Sequence, residues 1–499
     1  MIKATTFSGK TVAVFGLGGS GLAACRSLLA GGATVAAWDD GTDGRDRASA
    51  AGIPLINLRE ADWSDVSALV LAPGVPLTHP TPHWTVTLAR DAGVEIIGDV
   101  EIFFRERARV APEAPVVAIT GTNGKSTTTA LIGHVLAACG ETVAVGGNIG
   151  VNVLDLPDVE RTTTYVLELS SYQIDLTPSL APTIGLLLNI TPDHIDRHGT
   201  FENYAAVKAR LVSESQTALI NIDDPAATSV AAQLRSTEHP ACRTVSTNTQ
   251  PDGPNGYGLS GTEIGCWRGD LQSFSPIAEF VEAGALRGAH NRSNVVFAAA
   301  VADLLDVDVS GLSAAFRGFP GLAHRLQPVA ELATPHGRVL FVNDSKATNA
   351  DSTEKALGAF DRDIYWIAGG RAKDGGIAAL SPYFKRVAKA YLVGESAGAF
   401  ASTLGSATNH TIAGTIEAAV EMAASDAAAS GAPEPVVLLS PACASFDQFR
   451  NFELRGDAFV AAVASLSDIK LRASVSADPG QFPAEPTSTN SASGSGAAP

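Results

Sequence analysis

A glycine-rich loop that ends in a lysine is the strongest chemical signal in the sequence. Residues 121–127, GTNGKST, follow an apolar run over Val116–Thr120 and precede a helical pattern. Glycines at such a position let backbone N–H groups approach phosphates, and the start of the helix favours negative charge. Lys125 would then reach the β- and γ-phosphates of a nucleotide, and the Ser126 hydroxyl would bind Mg²⁺. Because Ile119 stands where the standard motif has its first glycine, the loop is a shorter variant, and an ordinary strand-to-helix turn is the alternative.

A second glycine motif lies near the start of the chain. Gly16, Gly18 and Gly21 follow the apolar run Thr11–Phe15, and Asp39 ends the next apolar run about twenty residues later, as in dinucleotide sites. An NAD-dependent oxidoreductase is one interpretation. The same spacing also suits another nucleotide diphosphate whose pyrophosphate binds at a helix start, or simple packing of a strand on a helix.

Two further polar groups come at the ends of apolar runs in the middle of the chain. Glu168 closes a run that follows the GTNGKST loop, where a Mg²⁺ ligand would be needed. His194, in NITPDHIDRH, follows the next run and could bind a metal or an anionic substrate, although a lone histidine is more often structural. Lys208 lies in a helical pattern, where a lysine is normally a surface cation.

The densest polar cluster is in the last third of the sequence. Residues 343–349, NDSKATN, follow a strand pattern and combine an acid, a lysine, two amides and two hydroxyls. A capped turn into a helix near Asn349 would explain Asp344 and Ser345, but not Lys346. Ligands of α/β sheets bind at the carboxyl ends of strands, so the cluster predicts a binding site.

The elements that must position these groups alternate between strands and helices. The predicted strands cover residues 11–15, 34–38, 68–72, 116–120, 164–169, 184–190, 218–222, 338–343, 363–368, 390–393 and 436–440. We therefore predict an α/β protein of three blocks, with a proline-containing joint at residues 111–115 and a third block from about residue 323.

Composition excludes several classes of protein. The 499 residues predict about three domains, and 45% hydrophobic residues can form sizeable cores. A net charge of −17 disfavours nucleic acid and anionic membranes as partners. Neither a membrane-spanning segment nor a signal peptide is recognised, so we expect a cytoplasmic protein. The five cysteines lack CxxC spacing, and residues 473–499 have the composition of a disordered tail.

Taken together, the motifs GTNGKST, ELSSYQ, NITPDHIDRH, HNRSN, GLAHR, NDSKATN and SPACASFDQF closely resemble the Mur ligase family. The resemblance covers residues 10 to about 465. It implies a Rossmann-like UDP-sugar-binding domain (1–110), a central P-loop ATPase domain (111–322) and a Rossmann-like amino-acid-binding domain (323–472). NDSKATN and SPACASFDQF are the most specific motifs. By resemblance they imply ATP-dependent addition of D-glutamate to UDP-N-acetylmuramoyl-L-alanine for peptidoglycan synthesis, which replaces the NAD interpretation.

The same resemblance assigns roles to individual residues. It implies nucleotide contacts from Gly121, Thr122, Asn123, Gly124, Lys125, Ser126, Thr127, Asn291, Asn294, Arg325 and Asp344. It implies contacts with the UDP-sugar from Gly19, Ser20, Asp39, Gly74, Asn148, Ser170 and Gln173, and with D-glutamate from Lys346, Thr348, Lys373, Ser445, Phe446 and Phe452. Glu168 and His194 would bind Mg²⁺ with Ser126, and Lys208 would be carbamylated by CO₂ to support a second metal.

One departure and two alternatives accompany this assignment. After Asp39 the chain has Asp40-Gly41, where comparable members often carry a hydroxyl and an arginine near the UDP. A Mur-like ligase for another acceptor, such as a folate polyglutamylating enzyme, shares the central motifs. An ATP-dependent regulatory or scaffold protein would keep the P-loop without ligation, although the intact NDSKATN argues against it.

Overall fold

Three separate β-sheets, each flanked by helices, organise the chain into an α/β fold. The computed structural model describes residues 1–237, 241–251, 255–269, 273–280, 284–286, 288, 290–372 and 375–472. Predictions about Lys373 and the tail 473–499 lie outside the described residues. No helix in these ranges is long and apolar enough to cross a membrane.

The first sheet has four parallel strands in the order β2-β1-β3-β4. Its strands are β1 (Thr11–Phe15), β2 (Thr34–Trp38), β3 (Val66–Leu71) and β4 (Glu95–Ile97), and its helices are α1 (Gly19–Ala30), α2 (Thr42–Ala50), α3 (Trp84–Asp91) and α4 (Asp99–Val110). The carboxyl end of β1 leads directly into the glycine turn and α1, as the motif predicts. The turn therefore lies at the edge of the sheet where strand ends gather.

The second sheet has nine strands in the order β13-β12-β11-β10-β9-β8-β5-β7-β6. The strands are β5 (Val116–Thr120), β6 (Thr142–Gly147), β7 (Thr163–Glu168), β8 (Ile184–Leu187), β9 (Thr217–Asn221), β10 (Cys242–Ser246), β11 (Gly256–Ser260), β12 (Glu263–Arg268) and β13 (Ser273–Glu279). The helices are α5 (Lys125–Ala138), α6 (Ser171–Asp175), α7 (Ile195–His198), α8 (Phe201–Ser213), α9 (Pro225–Ser236), α10 (His290–Leu304) and α11 (Leu312–Gly318). Strands β5 to β11 are parallel to one another, whereas the pairs β11–β12 and β12–β13 at one edge are antiparallel.

The third sheet has seven strands in the order β19-β18-β16-β20-β15-β14-β22, and β17 pairs with β21 in a separate ribbon. The strands are β14 (Gln327–Thr334), β15 (Gly337–Asn343), β16 (Ile364–Gly369), β17 (Arg371–Ala372), β18 (Val387–Val393), β19 (His410–Gly414), β20 (Val436–Leu439), β21 (Cys443–Ala444) and β22 (Ile469–Leu471). The helices are α12 (Ala350–Gly358), α13 (Ala397–Leu404), α14 (Ile416–Ala429) and α15 (Phe452–Ala464). All strand pairs in this sheet are parallel except those that β14 forms with β15 and with β22.

The apolar core runs without interruption from the first sheet into the second. One cluster of buried residues joins Val12 and Val14 of β1 to Phe103 of α4 and to Tyr165 of β7. The third sheet has its own clusters, formed only by residues beyond 325. The first two sheets are therefore joined by a common core, which the third does not share.

Helix α4 strengthens this junction with buried carboxylates. Asp99 accepts a hydrogen bond from Asn152 Nδ2 at 2.7 Å, and Glu101 accepts two from Ser179, from its N–H at 2.8 Å and its hydroxyl at 2.5 Å. Both carboxylates are buried. Because a buried charge without partners is costly, these bonds fix α4 against the second sheet unit.

Candidate functional site

The GTNGKST loop is braced from a neighbouring strand. Its backbone N–H groups at Thr122 and Asn123 donate to Asn189 Oδ1 at 3.1 and 2.8 Å, and the Thr122 N–H also reaches the Asn189 carbonyl. Gly124 precedes α5 with φ at 83°, a left-handed conformation that suits glycine. Asn189 belongs to the NITPDH motif, but the sequence alone did not predict this bracing role.

The side chain of Lys125 folds back onto the backbone of the glycine loop. Its ammonium donates to the carbonyls of Gly121 and Thr122, both at 3.0 Å, and burial lowers its pKa. On the next residue, the Ser126 hydroxyl accepts a hydrogen bond from Arg325 Nη2 at 3.2 Å. Arg325 comes from the segment that enters the third sheet, so this bond connects the second and third sheet units.

A cavity of about 520 Å³ opens beside this loop. Asn294 accepts from Thr128 Oγ1 at 2.9 Å and donates to Asn291 at 3.0 Å, which fixes both amides at the cavity wall. The predicted nucleotide residues that line the cavity are Asn123, Gly124, Thr127, Asn291, Asn294, Arg325 and Asp344. Lining residues that the sequence did not predict include Asn221, Asp223, Thr247 and Lys355.

Asp344 lies at the end of β15, between the cavity and the third sheet. It accepts hydrogen bonds from Ser440 Oγ at 2.8 Å and from the Leu326 N–H at 3.1 Å. Burial raises the pKa of Asp344 to about 7, although Arg325 nearby acts in the opposite direction. Burial therefore favours the protonated form of this carboxyl more than in an exposed aspartate.

Glu168, at the end of β7, is a buried carboxylate with one oxygen unpaired. Oε1 accepts a hydrogen bond from Asn148 Nδ2 at 3.0 Å, whereas Oε2 is buried without a hydrogen-bond partner. An unpaired buried carboxylate oxygen is costly unless a cation or donor meets it. The described residues contain no group of three or more His, Cys, Asp or Glu side chains that could hold a metal ion by themselves. The oxygen donors of Glu168 and Ser126 are nevertheless of the kind that Mg²⁺ prefers.

Lys208 is buried in α8, unlike an ordinary surface lysine. Its ammonium donates to the Gly121 carbonyl at 2.8 Å and to Thr120 Oγ1 at 3.3 Å, directly behind the glycine loop. Burial, with Lys125 nearby, lowers the pKa of Lys208 to about 7. Burial therefore favours the uncharged amine of Lys208 more than that of an exposed lysine.

His194 is half exposed and stands at the start of α7 with a left-handed backbone, φ 52°. Its ring lies 5.1 Å from the Tyr172 ring, and its Nε2 is 3.4 Å from the Asp193 carboxylate. A left-handed conformation is uncommon for a residue with a side chain, and it clusters at functional sites.

In the first sheet, Asp39 holds the glycine turn that the sequence connected with it. Its carboxylate accepts from the Leu17 N–H at 2.6 Å and from the Gly41 N–H at 2.7 Å. Arg45 donates to the carbonyls of Asp39 and Asp40, and Trp84 Nε1 donates to the Asp40 carboxylate at 3.0 Å. Arg45 of α2 thus lies against the Asp40-Gly41 loop, where the sequence differs from comparable members of the family.

Other residues predicted for the UDP-sugar lie where the first two sheet units meet. Ser20 accepts a hydrogen bond from Asn152 Nδ2 at 3.3 Å. Ser170 caps α6 in a reciprocal capping box with Gln173. The Gly74 carbonyl accepts from Arg197. Gly19 begins α1 with nothing within 4 Å of where a side chain would start, so the helix start is open on that side.

The residues predicted for D-glutamate come from two loops of the third sheet unit. The Lys346 ammonium lies 4.0 Å from the centroid of the Phe452 ring. Arg455 is buried and donates to Ser345 Oγ at 3.0 Å and to the Cys443 carbonyl at 3.0 Å, which joins the two loops. Nothing in the sequence marked Arg455 in advance. The remaining predicted residues are Thr348, which is partly buried, Ser445, which is buried, and Phe446, whose side chain is 65% exposed.

A phosphate-type glycine loop with a partly buried lysine, in an α/β sheet next to a polar cavity, is typical of nucleotide-binding enzymes. Models of the Mur ligase middle domain and of the Mur ligase glutamate ligase domain match residues 119–302 and 324–443. The chain belongs to the Mur ligase family.

Curated relatives extend this match to nearly the whole chain. A UDP-N-acetylmuramoylalanine--D-glutamate ligase of Chelativorans sp. (strain BNC1) is 56% identical over 471 residues, covering 94% of this chain and 99% of that protein. The protein of the same name from Brucella abortus (strain 2308) is 53% identical and covers 94% and 98%. The same name is carried by a Rhizobium meliloti (strain 1021) relative that is 51% identical and covers 94% and 100%.

Among solved structures, the UDP-N-acetylmuramate-alanine ligase of Thermotoga maritima has a similar fold. Its TM-score is 0.56 at 16% identity, and the match covers 91% of this chain and 99% of that one. At this identity the likeness concerns the fold alone.

Proposed function

We propose that the protein adds D-glutamate to UDP-N-acetylmuramoyl-L-alanine in an ATP-dependent reaction through an acyl phosphate, a cytoplasmic step of peptidoglycan precursor synthesis. The observation that carries the proposal is the cavity between the second and third sheet units. Lys346, from the specific NDSKATN motif, lines this cavity together with Gly124 of the glycine loop. The relatives that carry this activity in their names align over 94% of the chain.

We assign each sheet unit one ligand. Residues 1–110 form a Rossmann-like domain for the UDP-sugar, residues 111–322 a P-loop ATPase domain, and residues 323–472 a Rossmann-like domain for the amino acid. The support is that each glycine turn or polar loop follows the carboxyl end of a parallel strand, where such sheets bind ligands.

In the ATPase domain, residues 121–127 hold the phosphates, with N–H groups and the Lys125 ammonium as donors. Asn291, Asn294, Arg325 and Asp344 surround the nucleotide. The bond between Arg325 and Ser126 supports this assignment, because it brings a cation of the third unit to the phosphate loop. Arg325 can therefore neutralise charge that develops on the transferred phosphoryl group.

We propose that Mg²⁺ binds beside this loop, held by Ser126, Glu168 and His194. The unpaired Oε2 of Glu168 supports this, since a cation would satisfy it. When bound, Mg²⁺ would supply neutralisation of phosphate charge.

The reaction needs ATP because hydroxide is a poor leaving group from a carboxylate. The carboxylate of the L-alanine residue attacks the γ-phosphorus, ADP leaves, and an acyl phosphate forms. The deprotonated amine of D-glutamate then attacks the acyl carbon, and phosphate leaves as the amide forms. Lys125 binds the phosphoryl oxygens both during phosphoryl transfer and during release of phosphate. The cationic Lys346 beside Phe452 binds a D-glutamate carboxylate.

We propose a covalent role for Lys208, which its burial supports. An uncharged lysine amine adds to CO₂ to give a carbamate and one proton, and a pKa of about 7 leaves amine available for this at neutral pH. The product is an anion in place of a cation behind the phosphate loop. Such an anion would support a second metal ion there.

Phosphate release from ATP tests the proposal. With UDP-N-acetylmuramoyl-L-alanine present, release is expected with D-glutamate, and not with L-glutamate or without an amino acid. Lys125→Ala should lower turnover by about a thousandfold or more, because the phosphoryl charge loses its main cation. Release that ignores the nucleotide sugar, or a fully active K125A variant, would overturn the assignment.

A further inference from the structure

Arg197 of the second sheet unit donates two hydrogen bonds to the backbone of the first sheet unit. Its Nη1 donates to the Gly74 carbonyl at 2.9 Å and its Nη2 to the Val75 carbonyl at 3.0 Å. Gly74 and Val75 follow β3, whereas Arg197 lies on α7. A planar guanidinium fork suits two neighbouring acceptors, which a single ammonium cannot meet with the same geometry.

The guanidinium is held on a platform of rings. Its central carbon lies 4.7 Å from the centroid of the Tyr172 ring, and the His198 ring stacks with Tyr172 at 5.5 Å and 13°. His198 in turn shares a hydrogen bond of 2.9 Å with the Ser171 hydroxyl.

The same short helix, α7, also fixes the backbone of His194. The N–H groups of Arg197 and His198 donate to the His194 carbonyl at 3.0 and 3.1 Å, which closes the single turn of α7. Tyr172 contacts the rings of both histidines. A displacement of Arg197 would therefore move the turn that begins at His194.

A second contact joins the two loops without Arg197. Gly199, with φ 79°, has so little space that a Cβ there would lie 2.6 Å from His79 Nε2. His79 belongs to the same loop of the first unit as Gly74. The junction is therefore close-packed as well as hydrogen-bonded.

We propose that Arg197 is a positioning residue that ties the Gly74 loop to His194, so that UDP-sugar binding and the geometry at His194 depend on each other. The inference rests on the proposed function, in which Gly74 contacts the UDP-sugar and His194 helps to hold Mg²⁺. Arg197 touches neither ligand in this role. It acts through the backbone of one loop and the single turn of the other.

Arg197→Lys tests the inference in the full-length protein. Titration calorimetry in EDTA would give the Kd of UDP-N-acetylmuramoyl-L-alanine, which we expect to rise about tenfold because the fork to two carbonyls is lost. The Kd of ATP should stay within about twofold, since the phosphate loop is braced by Asn189 instead. In phosphate-release assays the Mg²⁺ concentration for half-maximal rate should rise. His79→Ala, which loosens the same junction, should weaken sugar binding in the same direction.

Arg210→Lys is the matched control. Arg210 also donates to two carbonyls, of Ile174 at 3.2 Å and Thr177 at 3.0 Å, but both belong to the second sheet unit. R210K and R197K should both lower the melting temperature, because each loses a pair of hydrogen bonds to backbone carbonyls. Only R197K should change the Kd of the nucleotide sugar. Equal Kd values for R197K and wild type would overturn the positioning role alone. A wild-type protein that does not bind the nucleotide sugar would overturn both this role and the proposed function.

Discussion

Gly21 is the position where one added methyl group should have the largest effect on the first sheet unit. A Cβ at this position would lie 1.9 Å from the Gly16 carbonyl oxygen and 2.9 Å from its carbonyl carbon. A close carbon–oxygen contact is about 3.3 Å, so in Gly21→Ala helix α1 and the turn must separate by more than about 1 Å. Both contacting groups are backbone, which cannot rotate away as a side chain would.

The energetic cost follows from that geometry. Overpacking usually costs about 1–3 kcal/mol, and a clash between two backbone segments belongs at the upper end. Since the first two sheets are joined by a common core, they should unfold as one unit of about 320 residues, and ~3 kcal/mol then lowers the melting temperature by roughly 4–5 °C. The shift of the turn should also weaken UDP binding by about tenfold or more.

Thermal unfolding by circular dichroism and calorimetric titration with UDP measure both effects. Gly19→Ala is the stability control, because a Cβ at Gly19 meets nothing within 4 Å and alanine favours the helix by up to ~1 kcal/mol. If G21A melts within about 1 °C of wild type and binds UDP equally well, the steric argument for the third glycine is wrong.

Two further changes in the third unit have clear expected outcomes. The folded protein holds the Asp344 proton up to about pH 7, whereas the unfolded chain releases it near pH 4, so Asp344 lowers stability progressively between these values. The free energy of unfolding of D344N should therefore exceed that of wild type by ~2–4 kcal/mol at about pH 8, and this excess should shrink towards pH 5. A difference in unfolding free energy that does not depend on pH would contradict this reasoning. Phe452→Leu removes the ring beneath the Lys346 ammonium and should raise the KM for D-glutamate about threefold to tenfold in phosphate-release assays. An unchanged KM would mean that the ring does not position this lysine.

The glycine motifs predicted their surroundings well because the chemistry and the local structure have the same cause. Strands β1, β2 and β5 have the predicted bounds, and each is followed by the expected turn or loop. The strand predicted over residues 184–190 ends at Leu187 instead, because Asn189 leaves the sheet to brace the phosphate loop. A periodicity argument sees only the apolar run and cannot anticipate that bond.

The antiparallel edges were not predicted. Strands β11 to β14 each combine buried and exposed residues, so they lack the continuous apolar run that marked the predicted parallel strands. Contacts between distant segments were equally invisible. Arg455 and Arg197 act on backbone carbonyls, which leave no trace in residue spacing, and the burial of Lys208 depends on the loop that packs over it.

Because the apolar core is continuous between the first two sheets, the domain boundary that the sequence suggests at residue 110 is not a boundary between independently stable units. A cut at residue 110 follows the end of α4, yet it would expose Phe103 to water and replace the Asn152 and Ser179 partners of Asp99 and Glu101 by solvent. The first sheet unit, which we propose binds the nucleotide sugar, is thus not an independent folding unit. By contrast, the third unit keeps its own apolar clusters, so expression of residues from about 323 onward is the cut that the packing favours.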